Sequence, residues 1–206
     1  AKDYLAKNDA KAAVIQLKNA LQNKPDLAEA RFLLGKALIE EGNFSGADVE
    51  LRKAADLKFS ADQLIPVQAR VMLVLGKPEK VIDDFGKAQL STPESRADLQ
   101  ATLGNAYLAL GKADDAKRAF DTALSSVPDY GAAIFGLARI RVVGRDMEGA
   151  LVLLDSAIAK DPKFLEALQL KGDVLAFQGK SGEAQEIYRS ELGIRSDYLP
   201  AYVALI

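Results

Sequence analysis

The stretch from Ala97 to Tyr130 reads ADLQATLGNAYLALGKADDAKRAFDTALSSVPDY, and it sets the frame for the rest of the chain. Apolar and small residues recur in it at spacings of three and four, Gly111 breaks the run, the run resumes at Ala116, Phe120 and Ala123, and Pro128 closes it. That pattern predicts two short helices joined by a tight turn. Glycine supplies the backbone freedom that the turn needs, and proline ends the second helix because it cannot donate the next hydrogen bond.

Working outward, the same wording returns with a period of 34 residues. Small residues stand at Ala13, Ala47, Ala116, Ala150 and Ala184, with Val81 in the gap; glycines echo the period at Gly42, Gly76, Gly111 and Gly179, and prolines at Pro25, Pro93, Pro128 and Pro162. Three residue types sharing one frame make an internal repeat of helical hairpins. A lone hairpin cannot bury Leu51, Tyr107, Phe120, Leu154 or Tyr188, so stability has to come from stacking successive hairpins. Gly35, Gly104 and Gly172 in first helices, with Ala47, Ala116 and Ala184 in second helices, let the paired axes approach closely.

Composition removes most chemistry. Cysteine and histidine are absent, which excludes disulfides, thiolate nucleophiles, Cys/His metal sites and the usual general base near neutral pH. The formal charge is −2 and the pI about 5.4, so no broad cationic surface awaits nucleic acid or an anionic membrane. No apolar run approaches the roughly 20 residues that span a bilayer. Gly179-Lys180-Ser181 lacks the earlier glycine and the leading strand of a phosphate loop, and Asp83-Asp84 and Asp114-Asp115 point about 100° apart on a helix. The sequence therefore predicts no catalytic residue, no metal and no cofactor. Asn43-Phe44-Ser45 fits a glycosylation sequon but is too short a pattern to carry weight.

With Leu103-Gly104, Tyr107, Ala116, Phe120, Ala123 and Pro128 in these positions, the chain resembles the tetratricopeptide (TPR) repeat family, lacking only the early tryptophan, where Gln100 stands. The resemblance implies an all-α fold, a right-handed α-α superhelix of antiparallel helix pairs forming a single array over 1–206. Its units are a clipped one over 1–27, full ones over 28–61, 62–96, 97–130, 131–164 and 165–198, and a partial one over 199–206. Departures are Phe59 and Ser196 in place of the closing proline, and Lys171 and Arg141 where apolar residues are usual. Pro66, inside a first helix, predicts a bend or a delayed start near Ser60 to Pro66.

The family resemblance further implies that the first helices line a concave groove for a protein or peptide ligand. The groove residues it selects are Phe32, Lys36, Arg70, Leu73, Asn105, Leu108, Phe135, Arg139, Asp173 and Phe177, accompanied by Ile39, Glu40, Val74, Asp98, Ala101, Val142 and Val143 among others. Phe32, Ile39, Leu73, Leu108, Phe135, Val142 and Phe177 are expected to leave apolar surface exposed. Arg70, Asn105 and Arg139 are expected to bind an extended backbone or an acidic side chain. Ala101, one turn before Asn105, departs from the lysine of chaperone-tail clamps.

The wording from Lys18 to Gly42, with Asp62-Gln63-Leu64-Ile65-Pro66 and Leu170-Lys171-Gly172-Asp173, is also similar to the PEP-CTERM system TPR-repeat lipoproteins of the PrsT type. That resemblance implies a non-catalytic scaffold in a bacterial envelope lipoprotein, lipid-anchored on the periplasmic side and linked to exopolysaccharide production and PEP-CTERM protein export. The alternatives are a cytoplasmic peptide-binding adaptor, or the targeting array of a larger enzyme such as a glycosyltransferase. The chain reads as a piece of something longer, and its cut ends predict a tendency to self-associate.

Overall fold

A computed structural model describes residues 1–7 and 9–205; Asn8 in the first partial repeat and Ile206 at the end of the last lie outside the described residues. Helices and turns account for the fold, in two compact units.

Unit 1, Ala1–Lys112, holds α1 (Lys2–Ala6), α2 (Ala10–Asn23), α3 (Ala28–Glu40), α4 (Phe44–Asp56), α5 (Ala61–Val74), α6 (Pro78–Phe85) and α7 (Pro93–Ala109). Each helix packs on its neighbours in the chain. Leu17, Leu21, Phe32, Leu34, Leu38, Leu51, Leu64 and Val71 form one continuous core across α2 to α5. Unit 2, Ala113–Ile206, holds α8 (Ala113–Ser126), α9 (Gly131–Val143), α10 (Met147–Lys160), α11 (Leu165–Phe177), α12 (Ser181–Ile194) and α13 (Leu199–Ala204), again packed in chain order. Ile134, Leu154 and Ala167 centre one of its cores, and Leu175, Tyr188, Tyr198 and Ala201 another.

Local chemistry places the helix ends. The side chains of Asp9, Asn43 and Asp146 accept hydrogen bonds from the first-turn backbone N–H groups of α2, α4 and α10, and Thr92 does the same for α7. Four hairpin turns pass through a left-handed glycine whose N–H and successor close the helix end: Gly42, Gly76, Gly111 and Gly179 at φ 71 to 77°. Between α9 and α10 the left-handed residue is Arg145, at φ 60°.

Three first-helix glycines lie against large side chains of second helices. A Cβ on Gly136 would lie 2.2 Å from the Phe120 ring, one on Gly172 2.3 Å from the Tyr188 ring, and one on Gly35 2.8 Å from Leu51. Each large side chain of a second helix thus rests on a bare patch of a first helix, which is why glycine stands there.

Pro66 behaves differently from expectation. α5 starts at Ala61 without delay and runs through the buried Pro66. Near the N-terminus proline removes a single helical hydrogen bond, to the Asp62 carbonyl, and burial of its ring among apolar neighbours offsets part of that loss. The irregularity falls later. α6 is only eight residues long, too short to cover its neighbours alone, so α7 packs on α5 as well as on α6. Asp62 ties the connection down: its Oδ1 accepts from the N–H of Ser91 at 2.6 Å and of Thr92 at 3.3 Å, and these bonds hold its carboxyl below the usual carboxylate range.

The other departures from the repeat find local partners. Phe59, in the proline's place, stacks on Phe32 with ring centroids 4.6 Å apart. Arg141 pairs with Asp146 at 2.6 Å, and Lys171 with Asp155 at 2.6 Å.

Candidate binding surface

In unit 1, α3 and α5 flank a cleft of about 300 Å³. It is lined by the apolar Ile39, Phe44, Val67, Val71 and Val74 together with Lys36, Glu40 and Arg70. Helical geometry explains the convergence: Lys36, Ile39 and Glu40 share one face of α3, and Val67, Arg70, Val71 and Val74 share one face of α5. Lys36 makes no ion pair among the described residues, whereas Arg70 lies 3.3 Å from Asp98 and is partly neutralised by it.

Other expected groove residues of unit 1 lie elsewhere. Phe32 is buried, 6% exposed, because Phe59 covers its ring, so it offers no free surface. Leu73 is half-buried and does not line the cleft, Asn105 and Leu108 are half-buried on α7, and Ala101 is buried. Val67, Val71 and Phe44 were not among the expected groove residues. The i, i+4 and i+7 spacing of Val67, Val71 and Val74 was the signal that pointed to the first two.

In unit 2, Phe135 packs on Phe164 at 5.2 Å between ring centroids, and the Arg139 guanidinium lies 6.0 Å from the Phe135 centroid, at the outer limit of a cation–π contact. Asp173 is a structural acceptor: its Oδ1 takes hydrogen bonds from Gln169 Nε2 at 2.9 Å and from the Tyr188 hydroxyl at 3.0 Å. Phe177 alone of the apolar residues expected to be free is widely exposed, at 77%; Ile39, Leu73, Leu108, Phe135 and Val142 are half-buried. Among the exposed apolar side chains, Val74, Val143 and Phe177 each stand two residues before a left-handed turn residue.

One buried acid escaped the sequence reading. Glu191 is wholly buried, and neither carboxylate oxygen has a hydrogen-bond partner among the described residues. It continues the stripe of Ala184 and Tyr188 on α12, the same i, i+4, i+7 signal that marks core positions. Burial, reinforced by the Asp173 charge, pushes its carboxyl up to about 7. Burial likewise raises the Tyr198 hydroxyl, helped by Glu191 and Glu166 and opposed by Arg195, whose guanidinium sits 4.3 Å over the Tyr198 ring.

Among the described residues, no three acidic, histidine or cysteine side chains gather to hold a metal ion, and no helix is long and apolar enough to cross a membrane.

The repeat geometry has a counterpart in sequence: the tetratricopeptide repeat family profile matches residues 1–57 and 101–163. The chain belongs to the tetratricopeptide repeat family. No curated protein sequence matches it. Among solved structures, this TPR chain is similar to one in the Cut9–Hcn1 hetero-tetramer of the APC/C, with TM-score 0.81 and 17% identity over 98% of this chain and 40% of that one. PilW, a type IV pilus biogenesis factor, gives TM-score 0.77 and 15% identity over 100% and 94% of the respective chains. YrrB, a TPR protein with an unusual peptide-binding site, gives 0.55 and 19% over 92% and 97%. At such identities the likeness establishes the TPR fold. The chain spans well under half of the Cut9–Hcn1 relative but nearly all of the PilW one.

Proposed function

We propose that this TPR chain is a non-catalytic protein–protein interaction scaffold that takes a peptide or protein segment on the first-helix faces, with the α3–α5 cleft as a principal site. The observation that carries this reading is the largely apolar cleft lining beside Lys36, which makes no ion pair among the described residues. A concave, largely apolar site with a few placed polar groups is the usual form of a binding pocket, and a buried apolar anchor typically supplies about 2 kcal/mol or more. Within unit 1, Asn105 and Leu108 on α7 are further candidate contacts, and unit 2 offers Arg139 and Phe177 as candidates on its own first helices. Asp173 contributes by holding Tyr188 and Gln169 in place.

The similarity of wording to the PEP-CTERM system lipoproteins supports a finer reading, in which the scaffold belongs to a lipid-anchored envelope protein that organises export or polysaccharide production as part of a single TPR array. Cross-linking with mass spectrometry in cells, on the full-length protein, tests both levels. A Lys36→Glu, Val74→Ser variant with unchanged helicity is expected to lose the wild-type partners. Envelope partners support the finer reading, cytoplasmic partners replace it with the adaptor alternative, and partners indifferent to the two substitutions overturn the cleft.

A further inference from the structure

The second helices share one seam position, seven residues beyond the buried alanine that begins the apolar stripe: Ala54 after Ala47, Ala123 after Ala116 and Ala157 after Ala150. All three are wholly buried, and Ala157 shares a core with Ala167 of the following helix, α11. On α12 the same count from Ala184 arrives at Glu191, which is wholly buried as well, and the counterpart of Ala167 is Ala201 on α13. α13 packs on α12. A carboxyl thus stands at the α12–α13 seam, where the corresponding side chains of α4, α8 and α10 are single methyl groups.

Nothing at the seam compensates that carboxyl when it is charged. Neither oxygen of Glu191 has a hydrogen-bond partner among the described residues. α11 contributes Asp173 and, acting on Tyr198, Glu166, both of the same sign. The Tyr188 hydroxyl on α12 donates to Asp173 at 3.0 Å, and the Arg195 guanidinium between α12 and α13 lies 4.3 Å over the Tyr198 ring and 3.9 Å from Asp197. Tyr202, the titratable group on α13, donates to the Ser196 carbonyl at 3.0 Å. An ionised Glu191 in this setting carries its desolvation penalty in full. The lightest of its covers is α13, in which Ala201 is the one buried residue and Leu199, Tyr202 and Val203 are exposed. Moving that helix gives up less apolar burial than moving α11, which buries Ala167, Leu168, Val174 and Leu175.

We propose that Glu191 is a pH-operated latch on α13: with its carboxyl protonated the helix stays docked on α12, and with it ionised the helix leaves and lets water reach the carboxylate. The sign follows from the preference of the folded seam for the proton. Docking is at full strength below the ordinary 4.5 and weakens as pH rises through about 7. The response is local, because Glu191 is the one buried acid among the described residues of unit 2. It uses no residue of the α3–α5 cleft, so the latch and the binding reading stand or fall separately.

Thiol accessibility tests the latch. The chain has no cysteine, so Ala201→Cys places a single reporter in the seam. Its alkylation by N-ethylmaleimide is followed in the full chain with Glu191 intact and in a Glu191→Ala background, and the ratio of the two rates at each pH cancels the thiol's own titration. The ratio is expected to lie near one at about pH 5.5 and to rise about tenfold or more by about pH 8.5, with Glu191→Gln giving a ratio independent of pH. A ratio that does not change with pH overturns the proposal, as does a pH-dependent ratio retained in Glu191→Gln. A matching rise at Ala133→Cys, buried at the corresponding place on α9, also overturns it, because unit 2 then loosens as a whole. Should the reporter itself undock α13, chymotryptic cleavage at Tyr202 in the cysteine-free chain decides: at about pH 8 it is expected to be faster in wild type than in Glu191→Gln, and equal rates overturn the latch.

Discussion

Unit 1 and unit 2 both bury carboxylates on the second helix of a hairpin, yet they treat the charge in opposite ways. In unit 1, Glu50 accepts from Arg31 at 2.6 Å and from Lys53 at 2.7 Å, and Asp48 takes two bonds from Arg52. Burial works to raise the Glu50 carboxyl, but the hydrogen bonds from Lys53 and Arg31 outweigh it and hold the group below its ordinary range. In unit 2, Glu191 is buried more deeply and has no cation paired with it among the described residues, and its carboxyl is pushed up to about 7. The difference teaches that the repeat specifies where a side chain is buried, while the chance supply of a cation from the adjoining helix decides which protonation state is stable.

The pH consequences have opposite signs. Glu191 binds its proton more tightly folded than unfolded, so its stabilising contribution is complete below the ordinary 4.5 and lost as pH rises to about 7. Glu50 contributes above its ordinary value and loses that contribution on acidification through its lowered one. The largest expected effect is therefore a fall in unit 2 stability of order ~3 kcal/mol between about pH 5 and about pH 8. Urea unfolding followed across that range would register it, and Glu191→Gln is expected to flatten the slope. A wild type without the slope breaks the comparison.

The next effect concerns packing. Gly136→Ala is expected to cost about 2 kcal/mol, because the rigid Phe120 ring must move, and Gly35→Ala clearly less, because the Leu51 side chain has rotamers to escape into. Thermal melts of the two variants side by side would show whether unit 2, with aromatic rings on its glycines, is the less forgiving unit. The smallest expected effect sharpens the electrostatic contrast: Arg31→Ala strands a half-buried Glu50 and should destabilise unit 1 by roughly 1.5 kcal/mol near neutral pH. That loss should shrink in acid, where Glu50 takes up a proton, and a loss independent of pH would show that Arg31 acts through packing instead.

Much of the fold could be read in advance. The helix starts at Ala28, Gly131 and Leu165, the glycine turns and the buried Ala47, Leu51, Phe120 and Leu154 all follow from the spacing. α7 departs by starting at Pro93, because the shortened α6 leaves space that an earlier helix start fills. The candidate surface was less legible. Lys36, Ile39, Glu40, Arg70 and Val74 do converge on one cleft, but Phe32 disappears beneath Phe59, and Asp173 is occupied by Tyr188 and Gln169. The Phe59 and Tyr188 contacts come from residues more than a dozen positions away, which a local pattern does not encode, whereas the Gln169–Asp173 bond is an i, i+4 pair within α11.

What the sequence alone determined is the hairpin, its period and its stacking core, because helix periodicity and turn chemistry act over four to seven residues and repeat along the chain. The contacts between helices decided the rest: which faces stay open and which acids find a cation. Burial and charge pairing are properties of three-dimensional neighbourhoods, and a neighbour on the next helix is a matter of packing rather than of spacing.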